Sequence, residues 1–364
     1  MLKVQSFLRG GGTIEDLETK YAITAKRHGE YPQLVLLKYS QIDSPFAEQI
    51  VRECRGIILD ESNDWKVVCA SPFKFFNAEE FYASPIDWKT SRVFEKYDGS
   101  LCQLYAYDGR WLFSTSGSPD GSGPVADYGM RFHELFWANF KHKLPPVDCG
   151  VSFFFELCSI YNKIVVVHKE PRIILLGARN LETMRELSLE EAHKFFPECE
   201  AARTFPLTSL DKIKKSYETF SGLEMEGYVV CDAQFNRIKC KSAQYVSLHH
   251  LKDSLGSSRR AMVEIVRTGE VDEIAANMPE YKDILFEAKS KFDTLVSELE
   301  DVYKANSSIE NQKEFALSIK GCRCSSALFS LRAKKTTSIR RFLSDMNIDS
   351  VMNLLGYKTS NEKD

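Results

Sequence analysis

A chain of 364 residues, 43% hydrophobic and 27% charged, is too long for one ordinary core and too apolar for disorder, so two folded domains are expected. A net charge of −3 excludes an overall polycation, and any nucleic-acid partner would have to be gripped by a local basic surface. Residues 1–12 carry no secretory apolar stretch, and no uncharged run approaches the ~20 residues of a membrane span, so no membrane partner is expected.

In chain order, short β-rich runs come first, from about residue 20 to 243. They fall at 55–59, 93–107, 111–115, 151–157, 164–167, 173–177, 227–232 and 237–241, rich in Val, Ile, Phe and Tyr with Asp, Gly and Asn between them. Helices are expected at 125–142 and 188–196. So many strands with so few long helices predict an antiparallel α+β domain over 1–243. The texture then changes. Tyr281, Ile284, Leu285, Ala288, Phe292, Leu295, Val296, Leu299, Val302 and Tyr303 form one apolar stripe on a helix over 280–304. With helices also expected at 259–267, 309–320 and 338–354, residues 244–364 read as an all-helical C-terminal domain. The ten cysteines, several inside apolar runs (Cys102, Cys158, Cys231), read as buried free thiols of a reducing, cytoplasmic or otherwise intracellular compartment. Cys322 and Cys324 lack the second pair that a four-ligand zinc site needs.

Phe94-Glu95-Lys96-Tyr97-Asp98-Gly99-Ser100 sits between two strand runs. Gly99 permits a tight backbone turn beside a ligand. Lys96 is a nucleophile only when deprotonated, and nearby cations with partial burial are expected to lower its pKa. Taken alone, this short stretch reads more readily as a surface lysine beside a hairpin turn.

The surrounding motifs tip the balance. Lys96–Gly99 as KxDG, Glu156 closing the apolar run Phe153-Phe154-Phe155, Glu226-Gly227 before Tyr228-Val229-Val230, and Lys239-Cys240-Lys241 occur in this order. The order resembles that of the covalent nucleotidyltransferases, which include ATP-dependent RNA and DNA ligases and GTP-dependent capping enzymes. Arg55-Gly56-Ile57-Ile58, Lys74-Phe75-Phe76-Asn77 and the run from Lys239 to His249 narrow the resemblance to the phage-type RNA ligase 1 family, which includes the ligase domain of fungal tRNA ligases. It covers about residues 50 to 255.

The resemblance implies a nucleotidyltransferase domain in which Lys96 attacks ATP. Lys239 and Lys241, two apart on one strand face, would contact the α-phosphate. Arg55 and Lys74 would hold ATP or pyrophosphate, and Phe76 would stack near the adenine or pack in the core. Arg55 could instead pair with Glu53 or Asp60. Asp98 and Gly99 would bind or position the nucleotide. Glu156 and Glu226 would serve ribose, lysine or metal (Mg²⁺, with Mn²⁺ as the alternative), and Glu224 is a weaker candidate on the same face. Asp272, with Glu273, would lie near a second metal. Tyr245 would support the RNA or nucleotide site, or belong to the core. Lys334, Lys335, Arg340 and Arg341, with Arg332, would grip RNA or form a solvated face. Ser116 stands where the family carries a lysine; either the alignment slips there, or another cation such as Arg110 covers the role.

The implied activity joins RNA 5′-phosphate and 3′-hydroxyl ends through lysyl-AMP and 5′-adenylated RNA. The implied setting is RNA repair by a monomer, cleaved tRNA among the substrates, with end-healing enzymes acting separately. The alternatives are the same chemistry on DNA nicks or mRNA caps, and a non-catalytic RNA-binding protein with a ligase-like core.

Overall fold

The computed structural model describes all residues except 42, 127, 254–258, 270, 272–274, 276–280, 337 and 358–364. The architecture is α+β, in two compact units, Met1–Ser242 and Ala243–Asp364.

Among the described residues, fifteen strands build the first unit: β1 Ile23–Arg27, β2 Leu34–Tyr39, β3 Arg55–Asp60, β4 Lys66–Cys69, β5 Phe76–Asn77, β6 Arg92–Lys96, β7 Ser100–Tyr107, β8 Arg110–Thr115, β9 Val151–Cys158, β10 Arg172–Asn180, β11 Glu186–Leu187, β12 Glu200–Ala201, β13 Thr204–Phe205, β14 Gly227–Cys231 and β15 Arg237–Lys241. They form three sheets. The first has the order β1-β2-β3-β4. The second runs β11-β10-β9-β7-β8, with β12 added on β10, and the third β13-β6-β14-β15-β5. Pairings are antiparallel except β10 with β12 and β15 with β5.

Side chains alternate across a strand, and that alternation makes both the core and the site. On β9, Phe153, Phe155 and Leu157 enter a core with Phe113, Phe136, Phe140 and Phe196. Phe154 and Glu156 therefore face the other way. On the third sheet, Val93, Tyr228, Val230, Ile238 and Cys240 pack into one core. Arg92, Phe94, Lys96, Val229, Arg237, Lys239 and Lys241 are left on the opposite face.

Several elements differ from expectation. The run 164–167 is not a strand. Its backbone is held by a side chain instead: the Asp98 carboxylate accepts from the Val165 and Val166 N–H groups, each at 2.6 Å. The helix expected over 125–142 is confined to Phe132–Asn139, and that over 188–196 to Leu189–His193. The stretch 93–107 divides into β6 and β7 at the Lys96–Ser100 turn. Sequence reading also missed helices Lys3–Arg9 and Ile14–Tyr21, which cover the first sheet.

The second unit is helical among its described residues. Helix Lys282–Asn306 buries Leu285, Ala288, Phe292, Leu295, Val296 and Leu299, the stripe its spacing predicts. The 338–354 segment is two helices, Ile339–Asp345 and Ile348–Leu354, and 309–320 contains Gln312–Ser318. No described helix is long and apolar enough to cross a membrane. All ten cysteines are free.

Candidate active site

Three neighbouring strands bring the charged residues together. Gly227 on β14 is in register with Lys96 on β6 and with Lys241 on β15. Val229 is likewise in register with Phe94 and Lys239. Residues in register share a sheet face, so the two lysine-bearing strands flank β14 and aim their amines the same way. Gly227 makes the arrangement possible. Its φ is +144°, and a Cβ there would lie 2.2 Å from the Cys240 carbonyl oxygen and 2.9 Å from Lys241 Cα. No other residue fits without parting β14 from β15.

Glu226 stands one residue earlier, 3% exposed. Its Oε2 accepts from Lys96 Nζ at 2.7 Å, and its Oε1 pairs with Lys241 Nζ at 2.8 Å. A carboxylate this deeply buried needs such partners, and both of its oxygens are taken by lysines.

The sheet face opens on a cavity of ≈ 520 Å³, of a size that suits a nucleotide. Phe154 and Glu156 of β9, with Leu101 and Leu176, contribute the second sheet's side of the wall. Arg55, Phe75 and Lys239 contribute a cationic and aromatic corner, in which the Arg55 guanidinium lies 5.0 Å and Lys239 Nζ 5.2 Å from the Phe75 ring centre. Gly99 holds the Lys96 turn against β9: a Cβ there would be 2.5 Å from the Leu157 carbonyl oxygen and 3.1 Å from Glu156 Cγ.

The electrostatics differ from the expectation for the nucleophile. Burial works to lower the pKa of Lys96, but Glu226, Glu156 and Asp98 outweigh it, and the net shift is upward. The lysine with a depressed pKa is Lys239, brought to about 7 by burial and then by Arg55, Lys74, Lys96 and Lys241. Glu156 is raised to about 7, first by burial and then by Glu226 and Asp98, against Lys96 and Arg55. Two groups poised near neutrality in one cavity are a common mark of a reactive site.

The remaining candidates fall in different places. Arg55 makes no ion pair among the described residues; it donates to the Pro72 carbonyl at 3.1 Å. The carboxylates that could have taken it are committed, Glu53 to the Lys3 and Val4 N–H groups and Asp60 to Tyr107 and Ser62. Asp98 is 2% exposed and serves as a loop anchor. Phe76 is not on the cavity wall. It packs against Phe46 and Tyr82, and Phe75 takes the cavity side. Lys74 Nζ bonds Gln41 at 3.0 Å among the rings of Tyr39, Phe46 and Phe76, also off the wall. Glu224 is exposed and caps a turn at Ser221. Arg110 is exposed and paired with Glu30, far in role from the cation missing at Ser116.

In the second unit, Tyr245 is buried beside His249, with ring centres 6.0 Å apart. Arg340 pairs with Asp293, Arg341 with Asp345, and Arg332 bonds the Glu310 carbonyl; Lys334 and Lys335 are exposed. The basic stretch is thus partly spent on its own helices. Asp272 and Glu273 lie outside the described residues.

Arg237 escaped the sequence reading, although it sits two residues before Lys239 on the same strand face and joins the cavity wall. Extending the period of two by one step would have found it. Its guanidinium is tied to Glu186.

A divalent cation has a partial set of donors here. Glu156 has no hydrogen bond or ion pair among the described residues and faces the cavity, as a ligand for a hard cation would. No cluster of three or more acidic, His or Cys groups accompanies it among the described residues, so the other ligands would be water and phosphate oxygens.

Comparison with known proteins agrees with the motif order. The RNA ligase family model matches residues 53–245. The RNA ligase of Rhodothermus phage RM378 is 27% identical over 372 residues, covering 82% of this chain and 84% of that one. A protein of Autographa californica nuclear polyhedrosis virus, named as a bifunctional polynucleotide kinase/RNA ligase, is 29% identical over 312 residues. That match covers 78% of this chain but only 43% of the viral protein, so this chain spans under half of that relative's length. Among solved structures, an archaeal ATP-dependent RNA ligase aligns over 88% of this chain and 90% of its own, at 14% identity and a TM-score of 0.45. The family model takes in more than half of the sequence, including Lys96, Glu156, Glu226, Lys239 and Lys241, and the chain belongs to the RNA ligase family.

Proposed function

We propose that this chain is an ATP-dependent RNA ligase whose nucleophile is Lys96. The observation that carries the reading is the row Lys96–Glu226–Lys241, bound at 2.7 and 2.8 Å, whose two lysines line a nucleotide-sized cavity together with Glu156, Lys239 and Arg55.

In the first step, Lys96 Nζ attacks the α-phosphorus of ATP. A phosphorus–nitrogen bond forms, the bond to pyrophosphate breaks, and lysyl-AMP results. Lys96 starts as an ammonium held by Glu226, so it must give up a proton. Glu226 Oε2, already hydrogen-bonded to it, is placed to take that proton. Lys239, Lys241 and Arg55 neutralise charge as the leaving group departs. Glu156 would hold Mg²⁺, or Mn²⁺, together with water and phosphate. The chemistry such an ion supplies is added positive charge, which offsets the carboxylates and favours the uncharged amine.

The AMP then passes to an RNA 5′-phosphate, which breaks the phosphorus–nitrogen bond and forms a 5′-5′ pyrophosphate bridge. A 3′-hydroxyl attacks the RNA phosphate, a phosphodiester forms and AMP leaves. Such ends follow the healing of broken RNA, so a repair role, with cleaved tRNA among the substrates, is part of this reading. So are action as a monomer in a reducing, cytoplasmic setting and end-healing by separate enzymes.

The test is substrate choice. With ATP or GTP supplied separately, 5′-phosphorylated RNA, capping substrates and nicked duplex DNA are compared. Sealing of RNA ends with ATP is expected. Activity only on nicked DNA, or only with GTP, would refute the assignment.

A further inference from the structure

Three cations meet beside the cavity without an ion pair among the described residues, and of the neighbouring carboxylates Glu156 acts on Arg55. Lys38 on β2 is registered against Arg55 on β3 across a bulge, and against Thr24 on β1. Like charges directly opposite one another destabilise a sheet. Lys26, two residues beyond Thr24, lies on the same face, and its Nζ donates to the Gly117 carbonyl at 2.9 Å. Among the described residues, none of Lys26, Lys38 and Arg55 makes an ion pair. The Lys38 amine is half-buried, and its pKa is lowered by burial and then by Lys26 and Arg55.

The place these cations surround is built for close approach. The turn 115–118 is closed by the Thr115 N–H donating to the Ser118 carbonyl at 2.9 Å. It docks on β3 at Gly56, whose φ is +78° and whose Cβ would lie 2.7 Å from Ser116 Cα. A Cβ on Gly117 would be 3.4 Å from Lys38 Nζ, so glycine leaves the ammonium room. The neighbouring carboxylate, Asp120, is already used by Ser118, Ser122 and Gly29. Ser116 brings no charge to this turn, whereas Lys38 brings one to it from another strand. Arg55 joins the group to the cavity, one strand inward.

We propose that Lys38 and Arg55, with Lys26 at the turn, form a phosphate site on the outer rim of the cavity. It holds a phosphate group other than the one under attack. The shared chemistry is a multiply charged phosphate, either the distal phosphates of the nucleotide or the terminal phosphate of the RNA. Only that choice of source rests on the proposed ligase reading; the site itself rests on the crowding of Lys26, Lys38 and Arg55 without an ion pair among the described residues.

Inorganic pyrophosphate is the probe, titrated calorimetrically into the full chain and into Lys38→Ala and Lys38→Arg. Loss of one charge-assisted hydrogen bond predicts about ten-fold weaker binding in Lys38→Ala, with recovery in Lys38→Arg. Relief of like-charge crowding predicts a Tm for Lys38→Ala equal to or above that of the parent chain. Unchanged pyrophosphate affinity, or a Tm lowered by several degrees, would overturn the proposal. The source follows from kinetics: a raised KM for ATP in protein–AMP formation assigns the nucleotide tail. A slower AMP transfer to 5′-phosphorylated RNA at unchanged KM assigns the RNA end. Should the parent chain form no protein–AMP, the ligase reading fails, while the pyrophosphate comparison still decides the site.

Discussion

Glu226→Gln isolates the charge at the centre of the site while keeping its shape. Glu226 is 3% exposed and bonded at 2.7 and 2.8 Å to two ammonium groups. At an effective dielectric of ~20, each contact is worth about 6 kcal/mol before desolvation. Breaking a buried pair by removing one partner usually costs about 3–5 kcal/mol. Lys96 and Lys241 are 22% and 29% exposed, so water recovers part of that loss, and a net cost of about 2–4 kcal/mol is expected. In a unit this size, that lowers Tm by roughly 5–15 °C. The same carboxylate is the largest influence holding the Lys96 pKa up against burial. Without it, burial and the cations Lys239 and Lys241 act unopposed by that charge, and the Lys96 pKa falls. Calorimetry gives the first quantity. Limiting amine acylation at pH 8, followed by peptide mass spectrometry, gives the second as faster labelling of Lys96. A Tm within about 1 °C of the parent chain, with unchanged labelling, would refute the reasoning.

Lys239→Met should stabilise the fold near neutral pH while weakening nucleotide binding. The folded pKa of Lys239, about 7, lies below its unfolded value near 10.4. The unfolded chain therefore holds the proton more tightly, and the cost to the fold is fully present below pH 7 and vanishes as pH rises through 10. A gain of about 1–2 kcal/mol at pH 6.5 that fades by pH 10 is expected in thermal melts; a constant gain, or a loss, contradicts this. Asp98→Ala should free the Val165 and Val166 amides, seen as faster hydrogen exchange there and a loss of about 2–4 kcal/mol. Unchanged exchange at those two amides would show that Asp98 is no anchor. Gly227→Ala should part β14 from β15 at a cost of about 3 kcal/mol or more, visible as a loss of soluble folded protein. A well-folded Gly227→Ala chain of parental Tm would contradict the close approach described.

The sequence carried the third sheet's charged face well, because Lys96, Lys239 and Lys241 lie on regular strands, where a period of two suffices, and Glu226 directly precedes one, where the motif order marks it. It carried the aromatic corner badly. Phe75 and Phe76 belong to an unbroken run, and β5 is two residues long, so no alternation tells which ring meets the cavity. The run 164–167 has the β-branched composition of a strand, but its Val165 and Val166 N–H groups go to a carboxylate 67 and 68 residues earlier, a contact no local pattern records. The pKa of Lys96 was misjudged for a related reason. The motif lysines are conspicuous as cations, whereas the resultant depends on three carboxylates from separate segments. Lys38 reaches the rim only through the register of β2 with β3, and that register follows from the bulge.

The most direct measurement is the position of the nucleotide bond. The protein is incubated with α-labelled ATP and a divalent cation, then digested and mapped by mass spectrometry, with Lys96→Ala in parallel. Acid-labile AMP on the peptide carrying Lys96, and none on the variant, is the predicted result. RNA sealing by the Lys96→Ala chain, or AMP on any other residue, would contradict it.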